Sequence, residues 1–118
     1  MAALTPPGWP TDLPPGASAE FVDRVVPWLL DQGPADLRTS DLRLMPIALA
    51  VYLQCHLEGC LAGARRAYAQ ARTELGADLP ADELSRAQRA FEAEGARLLR
   101  AQREVGLVIE ALRRLPSA

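Results

Sequence analysis

Residues 46–75 read PIALAVYLQCHLEGCLAGARRAYAQARTEL and predict one long helix. Pro46 suits a first helical position, where its missing N–H costs nothing and its fixed φ helps. No proline follows until Pro80, and alanine, leucine, arginine, glutamine and glutamate dominate the run, all good helix formers. Gly76 stands where a left-handed residue would close the last turn. At helical rise the stretch makes a rod of about 45 Å. One stripe recurs every three or four residues: Ala50, Leu53, Leu57, Cys60, Leu61, Ala64, Tyr68, Ala71 and Leu75. That spacing marks an amphipathic core face. The start of the rod differs from its end. Ile47, Leu49, Val51 and Tyr52 point in different directions, so this part is expected to be covered on every side. From Arg65 onward, charged and polar residues clothe the outside, and a single hairpin partner suffices.

That partner is expected over about Asp82 to Leu115. Leu84, Phe91, Leu98, Val105 and Leu112 fall seven apart, and Ala87, Ala101, Val108 and Leu115 follow three positions behind their neighbours. This is a heptad-like seam, interrupted where Glu94 takes one position. The intervening GADLP is a compact turn, and short connections join antiparallel neighbours. Counting away from the turn sets Leu75 near Leu84, Tyr68 near Phe91, Leu53 near Val105, and Gly63 and Ala64 beside Gly95. Glycine costs about 1 kcal/mol inside a helix relative to alanine. The glycines Gly59, Gly63 and Gly95 near one level are therefore expected to mark a close approach of the two backbones.

Residues 1–17 form a proline- and glycine-rich irregular arm containing Trp9, and residues 18–118 a single helical domain. Trp9 and Leu13 either pack on the helical body or stay loose; a proline-rich ligand for another domain is the functional alternative. Ser18 is placed to cap a helix through Phe21, Val25, Trp28 and Leu30, with Glu20 and Arg24 pairing on its outside. Pro27 is expected to kink it or split it in two. Gly33-Pro34 ends it, and Ser40 can cap a short turn at Asp41 before a corner at Met45-Pro46. The predicted fold is all-α: a kinked N-terminal helix and a long antiparallel hairpin, completed to a four-helix core as a homodimer.

The chain has 118 residues, 49% of them hydrophobic and 24% charged, ordinary values for one globular domain. All thirteen basic residues are arginine, and the net charge is -2, which argues against a general nucleic-acid or anionic-membrane binder. Five residues of helical rise hold Cys55 and Cys60 more than about 7 Å apart, too far for a bridge. Reduced thiols point to the cytoplasm. The N-terminus lacks the positive and apolar regions of a signal peptide, and no uninterrupted apolar run approaches the roughly 18 residues of a membrane span.

No nucleophile–histidine–acid order and no phosphate loop is present, and no cofactor is implied; the chain reads as no enzyme. Two constellations carry chemistry. His56 and Cys60 are i,i+4 on one helix face, next to Tyr52, and could supply half of a tetrahedral zinc site that a two-fold mate completes. The simpler reading is a packed cysteine with a hydrogen-bonded neighbour. Arg86, Arg89, Arg97 and Arg100 share one side of the last helix and could meet phosphate or an acidic partner. Their acidic neighbours Glu83, Glu94 and Glu104 offer ordinary helix-surface pairs instead. Leu99, Gly106, Leu107, Val51 and Tyr52 fall off the core faces and are the expected interface. The function expected is a helical interaction or scaffold protein, self-associating through the apolar end of its hairpin, with an unidentified protein as a further partner. A ligand- or metal-responsive bundle is the alternative, and a nucleic-acid accessory protein a third.

Overall fold

A computed structural model describes residues 5–116. Helix α1 spans Ala19–Leu30, α2 Pro46–Leu75 and α3 Ala81–Arg113, with two short 3₁₀ turns at Ala35–Thr39 and Asp41–Leu44. No strand occurs among the described residues. Helices α2 and α3 form the long antiparallel hairpin and make the dominant packing of the fold. The molecule measures 58 × 32 × 17 Å, the long dimension being that of the hairpin.

The caps fall where the sequence places them. Ser18 Oγ accepts from the Glu20 amide at 3.2 Å, and Ser40 Oγ accepts from the Leu42 amide at 3.1 Å. Each satisfies a donor that the start of a helix leaves without a backbone partner. Pro27 does not split α1, which runs unbroken through it. The proline removes one amide, and its ring lies on the exposed side, while Phe21, Val25, Trp28, Leu29 and Leu30 anchor the other side in the core. Burial of such side chains, at about 1.5–3 kcal/mol each, offsets the roughly 3 kcal/mol an interior proline costs. Gly76 is right-handed, with φ -59° and ψ -30°. Its amide still donates to the Arg72 carbonyl, so the chain leaves α2 through a helical turn rather than a left-handed one.

The core lies at one end. Leu49, Ala50, Leu53, Leu57 and Leu61 of α2 meet Leu98, Ala101, Val105, Val108, Ile109 and Leu112 of α3 under the inner face of α1. The arm docks there. The Trp9 indole donates to the Leu13 carbonyl at 3.0 Å, its ring centroid lies 5.9 Å from that of Phe21, and Leu13 is buried. The Trp28 indole reaches back to Asp12 Oδ1 at 3.0 Å. Trp9 is thus an internal packing residue.

Beyond Leu61 and Leu98 the hairpin continues as two helices alone, and Ala71 is the one further buried hydrophobic among the described residues. This explains Glu94. Its seam position faces solvent on a two-helix stalk, where it accepts both nitrogens of Arg97 in a bidentate pair. That hydrogen bond first, and the guanidinium charge second, hold the Glu94 carboxyl below its ordinary value.

One further expectation fails. The glycines do not mark a close approach. A Cβ on Gly59 or Gly63 would meet nothing within 4 Å, and one on Gly95 would touch only Leu61 Cδ1 at 3.9 Å. The level is right, since Ala64 and Gly95 line one groove. The direction is wrong: Gly59 and Gly63 lie about 100° or more around α2 from the residues that face α3. Within the single chain the start of α2 is covered in part, and the rest is the surface that the homodimer expectation assigns to a partner. Leu49, Ala50 and Leu53 are buried, but Ile47, Val51 and Tyr52 remain 37–43% exposed.

Candidate functional site

The hairpin has two broad sides. One is covered: α1 and the arm lie on it, with Gly33 against Leu53, and Gly16 against Ala111. At the outer edge of α3 Gly8 lies against Leu107, and Pro7 and Gly8 share a hollow with Gln54, Arg103 and Gly106. The opposite side is bare. Along α2 it shows Ile47, Gln54 and Tyr68, with the edge of the buried Leu61 between the last two; along α3 it shows Phe91, Gly95, Leu99, Gln102 and Gly106. The Gln54 amide reaches toward Gly106, where an added Cβ would come within 3.2 Å of its nitrogen. Further along, Leu61, Tyr68, Phe91, Gly95 and Leu99 line a shallow apolar groove of about 320 Å³. Small residues at Ala64 and Gly95 form its floor, and Arg65 and Glu92 stand on its two rims.

A second apolar area wraps the outside of the hairpin's open end. Leu44 is 65% exposed, and Met45, Ile47, Val51 and Tyr52 stand beside it between 37% and 49%. The expected interface residues therefore do not form one patch. Leu99 and Gly106 lie on the bare side, Leu107 is turned toward the arm, and Val51 and Tyr52 belong to the outer end.

His56 and Cys60 do meet. Nε2 of His56 and Sγ of Cys60 are 3.5 Å apart, and Tyr52 stacks on the imidazole with ring centroids 6.1 Å apart. Cys55 is exposed and Cys60 half-buried, both as free thiols. Among the described residues no third histidine, cysteine or carboxylate stands close enough to complete a metal-ligating group. The pair is two donors of the four that a zinc site requires.

The arginine stripe is exposed throughout. Arg97 is engaged by Glu94. Arg100 lies near Glu104, whose carboxyl is raised by partial burial and by the Asp12 carboxylate, with Arg100 opposing. Glu83–Arg86 and Glu20–Arg24 do not close as ion pairs; Asp31–Arg38 does, at 2.7 Å. A further apolar hollow of about 360 Å³ opens between Trp9, Gly16, Leu107, Ala111 and Leu115.

One 18-residue window of α2 has a mean hydropathy of 1.3, long and apolar enough by composition to cross a membrane. Some 28% of that window is buried inside the fold, and a core helix of a bundle meets the same criterion. No family model matches the chain, and neither a curated protein nor a solved structure is similar to it at a significant level.

The sequence reading missed the bare side as a unit. Its signal was present in the seven-residue recurrence of Ile47, Gln54, Leu61 and Tyr68. The polar Gln54 interrupts that row, so hydropathy alone passes over it.

Proposed function

We propose that this protein is a non-enzymatic helical interaction module that self-associates through its hairpin, beginning at the hairpin's apolar end. The observation that carries this reading is the uneven cover of the fold. One broad side is packed under α1 and the arm, while the opposite side and the outer end leave Leu44, Ile47, Tyr52 and Tyr68 in water. Large apolar side chains exposed together in this way are characteristic of interaction sites. Two hairpins joined at these surfaces make a four-helix core. The reading takes α2 as a core helix, because Leu49, Leu53 and Leu57 are buried within the chain's own cluster, and it places the protein in the cytoplasm. Sedimentation equilibrium and native mass spectrometry of the full chain test it: a dimer at micromolar concentration is the expected result, and a monomer at every concentration refutes it.

The contact between His56 and Cys60 favours a second reading, a metal-responsive bundle in which two copies contribute two donors each. Titration with zinc distinguishes the two. A dimer that forms equally with and without chelator belongs to the first reading, and one that forms only with zinc, and is lost in Cys60→Ser, belongs to the second.

A further inference from the structure

Resting on the self-association proposed above, we infer that the bare side of the hairpin is an interface for a second copy of this chain, related by a two-fold axis running along the hairpin, so that α2 of one copy lies on α3 of the other. Three features of that side lead to this arrangement. The first is its extent. From Ile47 to Tyr68 it runs about 32 Å, and two packed helices are about 18–20 Å across, a projection on the order of 600 Å². With side-chain relief this approaches the ~800 Å² per partner of a standard specific interface.

The second is its layering. Ile47 and the edge of the buried Ile109 form an aliphatic level at the open end, Gln54 and Gln102 a polar level, and Leu99 and Gly95, with the edge of the buried Leu61, a second apolar level; Tyr68 and Phe91 make an aromatic one. An axis along the hairpin brings each level onto its own kind. Gln54 and Gln102 are half-buried, and no side-chain hydrogen bond engages either amide among the described residues. Four amides at one level can bond one another across the interface, and a buried polar level fixes register in a helical assembly. An axis perpendicular to the hairpin through its middle would instead set the open end of one copy against the polar turn of the other, and each glutamine level against the stalk.

The third is charge. Glu58 and Arg65 stand on the α2 rim of the bare side, and Arg103 and Glu92 on the α3 rim. None of the four is in an ion pair; the pairs among the described residues are Arg38–Asp31 and Arg97–Glu94. In the antiparallel hairpin Glu58 and Arg103 stand within about one helical turn of the same level, as do Arg65 and Glu92. Within one copy they point away from each other, off opposite rims. With α2 laid on the α3 of a second copy, Glu58 faces Arg103 and Arg65 faces Glu92, each pair occurring twice by symmetry. Complementary rim charges of this kind select register and partner.

Charge reversal tests the inference, with the dimer dissociation constant of the full chain read by sedimentation equilibrium. Glu58→Arg and Arg103→Glu are each expected to weaken the dimer by about tenfold, since each acts at two symmetric contacts. The double variant Glu58→Arg/Arg103→Glu is expected to recover wild-type affinity, and Leu99→Glu to abolish the dimer while leaving the helical circular dichroism of the fold unchanged. Rescue of Glu58→Arg by Arg65→Glu instead would overturn the lengthwise axis in favour of the perpendicular one, in which α2 lies on α2. A dimer untouched by Leu99→Glu and lost in Tyr52→Glu would overturn the inference and leave the proposed function standing on the outer end. A wild-type monomer would overturn both.

Discussion

Replacing Gly59 and Gly63 together by alanine should stabilise the protein. Both residues lie in the interior of α2, and a Cβ at either position has open space around it to 4 Å. The change therefore adds no clash, and what remains is the helix term, about 0.8–1.0 kcal/mol per glycine removed. Part of that gain comes from the unfolded chain, whose freedom alanine narrows. Both increments are helix-propensity terms, and together they come to about 1.5–2 kcal/mol. With an unfolding entropy of about 2.1 cal/mol/K per residue, a chain of 118 residues gains roughly 7 °C in Tm. Urea unfolding at fixed protein concentration, followed by circular dichroism, measures this as a higher midpoint at an unchanged slope. A midpoint that stays put or falls would refute the reasoning, because it would mean that something packs on that face of α2 in solution. Since the face flanks His56 and Tyr52 rather than the bare side, the same result would also move the interface off the surface inferred above.

The other changes probe places where the chain is already full or its charges are uneasy. Gly33→Ala should act in the opposite sense, costing roughly 1–3 kcal/mol by urea unfolding, because its Cβ would stand 2.5 Å from Leu53 Cδ2 and 2.9 Å from Leu37 Cδ1, both in the core. Trp28→Phe keeps most of the packing but leaves the Asp12 carboxylate without its indole donor, and should cost about 1.5 kcal/mol; Asp12→Asn should cost less, and equal losses in the two would count against a charge-assisted bond. Glu104→Gln should raise stability at neutral pH. The folded carboxyl is raised above its ordinary 4.5 by burial first and by Asp12 second, so the folded state binds the proton more tightly and wild-type stability falls as pH rises through that region. The gain should therefore be present at pH 7 and vanish below about 4.5, and urea midpoints measured across pH check it; a gain that persists in acid would trace to something other than the charge.

What could be read from the sequence was the part governed by single-helix rules. The bounds of α2, the caps at Ser18 and Ser40, the antiparallel register and the meeting of His56 with Cys60 each follow from spacing and local chemistry along one or two segments. The departures lie at Pro27, at Gly76 and at the interior glycines. Pro27 is expected to kink or split α1; it does not split it, because the burial of Phe21, Trp28 and Leu29 outweighs one missing hydrogen bond. Gly76 was assigned a left-handed turn that the Arg72 carbonyl makes unnecessary. Val51 and Tyr52, expected at an interface, are left open by the single chain.

The glycine error and the bare side have one origin, and it bears on function. Height along a hairpin follows from counting residues from the turn, and it was right: Ala64 does stand beside Gly95, and Tyr68 with Phe91. Direction around each helix advances by 100° per residue, and it was not carried along with the height. Once it is, α2 resolves into three faces: Leu53, Leu57 and Leu61 toward the core, Gly59 and Gly63 toward solvent, and Ile47, Gln54 and Tyr68 along the bare side. Each face has a different claim on a partner. The core face is satisfied within the chain, and the glycine face has no side chain to bury. The third alone combines apolar levels, a glutamine level and rims of opposite charge, which is why the search for what this protein binds begins there rather than at the glycines or at the lone histidine.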